Sequence, residues 1–146
     1  MATINPYLTF DGNTEEAFNF YKSVFGGEFA GGFMRFGDSP GCEHMSEQDK
    51  NKVMHVALPI GQGLLMASDY VEGMGPAFKH GNDFSIALNP DTIEDTRRLF
   101  DSLAAGGTVA MALEKTSWAE LFGMVTDKFG IQWLVNYGQA EDNQAS

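Results

Sequence analysis

Two side chains in this sequence, His55 and Asp69, have the chemistry of an acid–base pair. His55 lies in the apolar run Val53-Met54-His55-Val56-Ala57-Leu58, which reads as a strand. An imidazole on a sheet face can serve as general base or as a ligand-orienting donor near neutral pH, or it can be a core or interface histidine satisfied by hydrogen bonding. Asp69 follows Ser68 at the end of the next predicted strand and can pair with His55 or cap the chain beyond it. Cys42 and His44 flank Glu43 in a polar loop. That spacing suits thiolate activation or metal capture, but no further ligand lies nearby in sequence, so an exposed pair without a role is the preferred reading. His80 sits in a glycine-rich linker and carries less weight still. Trp118, within Thr116-Ser117-Trp118-Ala119-Glu120, is the candidate aromatic wall for a ligand. Trp133 shares its alternation with Ile131 and Val135 and is expected to pack under a helix.

The elements that must position these residues follow from periodicity. Residues 4–10 alternate, with Ile4, Leu8 and Phe10 on one side and Asn5, Tyr7 and Thr9 on the other. Asp11-Gly12-Asn13 turns the chain, and Asn13 with Glu16 has the form of a capping box. Ala17, Phe18, Tyr21, Val24 and Phe25 then recur at helical spacing until Gly26-Gly27. Strands are predicted over 28–36, 53–60 and 64–70, with Gly61-Gln62-Gly63 as a tight hairpin connection. The second half repeats the order. A strand over 84–88 leads to a turn at Asn89-Pro90-Asp91, with Asp91 in the capping position. A helix with the stripe Thr96, Leu99, Phe100 and Leu103 follows and stops at Gly106-Gly107. Strands are then expected over 108–113, 122–126 and 131–137. Asp127-Lys128-Phe129-Gly130 has the Asp-first, Gly-last form of a type I turn. Each half therefore spells β-α-β-β-β, which predicts an α+β domain of two βαβββ modules. Module one spans 3–70 and module two 83–138, with a linker at 71–82 and an acidic tail at 139–146. A long polar stretch, 37–52, is expected to be an irregular loop.

Composition narrows the function classes. Lysine and arginine number 9 against 20 aspartates and glutamates, a net charge of −11 that opposes binding to nucleic acid or anionic membranes. Cys42 is the one cysteine, so no intramolecular disulfide can form and a reducing, cytoplasmic setting is expected. No run approaches the roughly 18 apolar residues that cross a bilayer. The first-turn carboxylates Glu15, Glu16, Glu94 and Asp95 are explained by the helix dipole.

Five phrases in order carry a family resemblance: Asn5-Pro6-Tyr7-Leu8-Thr9-Phe10-Asp11-Gly12, Phe20-Tyr21-Lys22-Ser23-Val24-Phe25-Gly26-Gly27, Asp49-Lys50-Asn51-Lys52-Val53-Met54-His55, Met66-Ala67-Ser68-Asp69 and Asp127-Lys128-Phe129-Gly130-Ile131-Gln132-Trp133. Across nearly the whole chain the sequence resembles the PhnB-like branch of the glyoxalase/bleomycin-resistance, or vicinal oxygen chelate, superfamily, whose members often carry the label demethylubiquinone methyltransferase-like. The glycine-rich strand-to-helix turn of a conventional adenosyl-cofactor site is not evident, since glycines 31, 32, 37 and 41 fall in strand-and-loop context.

The resemblance implies curled, glyoxalase-like mixed sheets and a homodimer. In the superfamily's enzymes it also implies a divalent metal held by His, Gln or Glu. The corresponding positions here fall near Asn5, Met66, Ser85 and Leu134, a poor set for a hard cation. The expectation is therefore no metal, no cofactor and a polar-lined sheet hollow that takes an unknown small molecule through Asn5, Tyr7, Ser85, Trp118, Gln132 and Asn136. Two alternatives stand beside it: a divergent lyase, dioxygenase or transferase using His55 and Asp69, and a resistance-type sequestering protein.

Overall fold

The computed structural model describes residues 2–139, so the predicted acidic tail lies almost wholly outside the described residues. The chain forms two compact units that meet in sequence at Lys79 and His80. Each contains a four-stranded mixed sheet, and the class is α+β.

In the first unit β1 (Tyr7–Phe10), α1 (Thr14–Phe25), β2 (Met34–Arg35), α2 (Glu47–Lys50), β3 (Val53–Ile60) and β4 (Gly63–Asp69) follow in order. The sheet order is β1-β4-β3-β2, with β1 parallel to β4 and the other pairs antiparallel. The helical stripe is buried as its spacing predicts, with Ala17, Phe18 and Tyr21 fully inside. It packs against the sheet face that carries Leu8, Phe10, Val56, Leu58, Leu65 and Ala67. Gly61, at φ 56, takes the first central position of a two-residue hairpin, where a left-handed residue suits the strand twist, and Ile60 pairs with Gly63.

Four expectations for this unit are corrected. The first strand begins at Tyr7, and Ile4 is 98% exposed, with no neighbour to cover it. The strand expected over 28–36 contracts to two residues, because Gly31 and Gly32 sit at φ 79 and 69, outside the extended region. The stretch 37–52 is partly helical: a short 3-10 turn covers Phe36–Asp38, and α2 is capped by Ser46, whose hydroxyl accepts from Asp49 N. The Asn13 side chain makes no capping hydrogen bond to α1.

The second unit holds β5 (Ile86–Leu88), α3 (Ile93–Ala104), β6 (Thr108–Glu114), β7 (Leu121–Thr126) and β8 (Gln132–Tyr137), in the sheet order β5-β8-β7-β6. The stripe Thr96, Leu99, Phe100 and Leu103 is buried, together with Val125, Trp133 and Val135 of the sheet. The cap of α3 is Thr92, whose hydroxyl accepts from Asp95 N, and not Asp91 as the sequence suggested. Phe84 lies before the strand and is 63% exposed. The turn after β7 forms as expected, with Gly130 N donating to Asp127 O.

Gly123 on β7 is required by packing, since a β-carbon there would come within 2.6 Å of the Phe100 ring and 3.1 Å of Met111 O. Gly123→Ala is expected to cost about 1–3 kcal/mol by forcing Phe100 aside. Urea unfolding followed by circular dichroism measures this, and an unchanged midpoint would show that the ring yields freely.

Candidate functional site

Strand parity divides the first sheet into two faces. Leu8 pairs with Ala67, and Ala67 with Val56, on the helix side; Tyr7 pairs with Met66, and Met66 with Ala57, on the other. Thr9 pairs with Ser68, and Met34 with His55. Continuing the Val56–Ala67 register by one residue sets His55 beside Ser68. The face away from α1 thus presents one row of Thr9, Ser68, His55 and Met34, and a second of Tyr7, Met66 and Ala57. Tyr7 is half exposed, and its hydroxyl lies 3.5 Å from His55 Nδ1, with the ring centroids 5.9 Å apart at a tilt of 32°.

Asp69 is on the opposite face. It pairs with Phe10, shares parity with Ala67, and is 6% exposed. Its Oδ1 accepts from Thr14 N at 2.9 Å and its Oδ2 from Val53 N at 2.8 Å. Asp69 therefore neither reaches His55 nor caps the linker. It satisfies the first amide of α1, the end that Asn13 leaves uncapped, and so supplies in space the negative charge that a helix N-terminus favours. The sequence separation of 55 residues hid this partner.

The remaining candidates fall in both units and are described within each. Asn5 is committed to the backbone, its Oδ1 accepting from Leu64 N at 3.0 Å. In the second unit Gln132 donates through Nε2 to Phe84 O, and Asn136 donates through Nδ2 to Asn89 Oδ1 at 3.4 Å. Ser85 precedes β5 and is partly exposed. Trp118 is 49% exposed and meets Phe122 edge-on at 5.2 Å; the Thr116 hydroxyl fixes its loop by accepting from Ala119 N. Trp133 is buried under α3 and donates its indole N–H to Asp127 Oδ2 at 2.8 Å. His80 packs its ring over Gly130, beside a polar cavity of about 480 Å³ bordered by Asn82, Thr126 and Gln132. Among the described residues Cys42 and His44 do not join a group of three potential metal ligands. Between them, Glu43 has its carboxyl held below the usual range, by hydrogen bonds first from its own amide and then from that of Gly41.

Sequence reasoning missed a second cavity of about 480 Å³, in the first unit, bordered by Asp11, Glu15, Arg35, Gln48 and Lys52. Arg35 there pairs with Glu15 at 2.8 Å and donates to Asn51 O. Neither partner is within reach of local pattern, because the chain returns to the helix only through the sheet. Ser68 was missed as a site residue for a simpler reason, since its place beside His55 depends on register.

The positions that the resemblance aligns with metal ligands do not fit a hard divalent ion. The Asn5 carbonyl oxygen is already engaged, Met66 offers a thioether, Ser85 a lone hydroxyl and Leu134 no donor. Among the described residues no three His, Cys, Asp or Glu side chains lie together in a group that could hold a metal. No described helix is long and apolar enough to cross a membrane.

Residues 2–136 match the family model described as 3-demethylubiquinone-9 3-methyltransferase. Protein YjdN of Escherichia coli (strain K12) is 32% identical over 149 residues, covering 97% of this chain and 99% of that protein. Protein PA1353 from Pseudomonas aeruginosa, a crystal structure, is 41% identical with a TM-score of 0.83, covering 96% of this chain and 100% of its own. A putative 3-demethylubiquinone-9 3-methyltransferase, PhnB protein, from Bacillus cereus is 25% identical with a TM-score of 0.73, covering 94% and 100%. The fold extends to a glyoxalase/bleomycin resistance protein/dioxygenase family enzyme from Burkholderia phytofirmans PsJN, at 18% identity, a TM-score of 0.61 and coverage of 90% and 95%. With the motifs and these likenesses in agreement, the chain belongs to the 3-demethylubiquinone-9 3-methyltransferase family, is similar to a PhnB protein, and shares its fold with the glyoxalase/bleomycin resistance protein/dioxygenase family enzyme.

Proposed function

We propose that the first unit binds a small molecule on the sheet face opposite α1, oriented by His55 and Tyr7 and lined by Thr9, Ser68 and Met66, without dependence on a tightly bound divalent metal. The observation that carries this reading is the approach of the Tyr7 hydroxyl to His55 on a face with hydroxyls in one row and a thioether in the other. Such a surface offers hydrogen bonds to a polar group and an adaptable apolar floor to the rest of a ligand. Methyl transfer, named in the family's description, is not part of the reading. Gly31 and Gly32 lie in irregular chain before β2, Gly37 in a three-residue 3-10 turn and Gly41 in a loop, and the turn from β1 into α1 holds the single glycine Gly12, which is not the glycine-rich turn that cradles a cofactor's phosphate or carboxylate.

A library of planar aromatic and carbonyl fragments, screened by amide chemical-shift mapping on metal-depleted protein, tests the proposal. Hits are expected to move Thr9, His55 and Ser68, and His55→Ala is expected to weaken them at least tenfold with the far-ultraviolet spectrum unchanged. The reading fails if hits map elsewhere, if none bind, or if they bind only after a divalent ion is restored.

A further inference from the structure

We infer that Tyr7 is the positioning residue that holds neutral His55 in its Nε2–H tautomer, so that this face presents a donor and selects ligands bearing a carbonyl, enolate or phenolate oxygen; the ligand class rests on the binding reading above. Tyr7 and His55 stand on strands that are not neighbours, because β4 lies between β1 and β3. With adjacent strands about 4.8 Å apart, the two backbones are separated by roughly 10 Å. Both side chains must therefore lean inward over β4 for the hydroxyl to come to 3.5 Å from Nδ1. Burial does not drive them there, since Tyr7 remains 50% exposed. The rings also lie in tilted aromatic contact, with centroids 5.9 Å apart at 32°, and this contact accompanies the approach of the hydroxyl to Nδ1.

The direction of the proton follows from the two groups. A phenol is a better donor than acceptor, and the unprotonated nitrogen of a neutral imidazole is a strong acceptor. Tyr7 O–H accordingly donates to Nδ1, which leaves the hydrogen on Nε2. A histidine acting as general base is ordinarily oriented by a carboxylate that accepts its other N–H. Here the nearest sequence candidate, Asp69, is on the far side of the sheet with both oxygens accepting from amides. Nε2 has no protein partner among the described residues and shares its row with the hydroxyls of Thr9 and Ser68, so an incoming oxygen meets a donor flanked by groups that adapt to it.

The test is a long-range proton–nitrogen correlation on the full chain labelled in histidine nitrogen, at about pH 8.5, above the usual imidazole range. His55 is expected to show an unprotonated Nδ1 and a protonated Nε2. In Tyr7→Phe the two nitrogen shifts are expected to converge toward those of free histidine, while His44 and His80 stay in place as internal references. A protonated Nδ1 in the unaltered chain, or His55 shifts that ignore Tyr7→Phe, overturns the inference. Both outcomes are read without any ligand and so are distinct from failure of the binding reading, which appears as an absence of fragments on the face. Fragments that do bind the face but lack an acceptor oxygen overturn the ligand class alone.

Discussion

Replacing Asp69 with alanine is expected to destabilise the chain by about 3–5 kcal/mol, because two buried amides, Thr14 N and Val53 N, lose a charged acceptor at once. A domain of this size has about 5–15 kcal/mol in total, so the loss is about a fifth of the whole or more. Asp69→Asn keeps the shape and one carbonyl oxygen, but turns an N–H toward an N–H. Its expected cost is smaller, about 2–3 kcal/mol, and still clear. Urea unfolding separates these values. The same experiment distinguishes a structural Asp69 from an acid–base partner of His55: a variant of unchanged stability that lost ligand affinity would contradict the geometry described above. His55→Ala, in contrast to what is expected of Asp69→Ala, should lose affinity and keep stability.

Asp127→Ala is expected to cost a similar amount, about 3–5 kcal/mol, by a different route. This carboxylate, 3% exposed, accepts from Phe129 N at 2.8 Å and Ile131 N at 3.1 Å through Oδ1, and from the Trp133 indole at 2.8 Å through Oδ2. It closes the turn between β7 and β8 and satisfies the polar edge of the largest fully buried side chain. Removing the indole donor as well should recover part of the loss. In a double-mutant cycle, Trp133→Phe made on the Asp127→Ala background is expected to cost at least about 1 kcal/mol less than Trp133→Phe made alone. Additive losses would show that the indole contact contributes packing and not hydrogen bonding.

The two aspartates show why some of this molecule is legible in one dimension and some is not. Asp127 was readable as the first residue of a turn, because its two amide partners lie two and four residues downstream. Asp69 was not, because its partners lie 55 and 16 residues away on different elements. The helix caps divide in the same way. Thr92 caps α3 from the adjacent position, whereas α1 receives its acceptor from the end of β4. Asn13 had the right type and spacing for a box, and the tertiary carboxylate took its place.

By itself the sequence determined the succession of strands and long helices in both halves, though not the short helical turns between β2 and β3, together with the buried stripe of each long helix, the hairpin at Gly61 and the turn at Asp127. These depend on side-chain periods of 2 and about 3.6 residues and on turn chemistry acting over a few positions. Only the tertiary structure decided that His55 meets Tyr7 and is separated from Asp69, because that outcome depends on the parallel placement of β1 beside β4 and on the register of β4 with β3. The two-residue loop at Gly61 fixes the β3–β4 register, but a shift of one residue in the β1–β4 pairing would exchange the faces there, and no local stretch of chain fixes that long-range register.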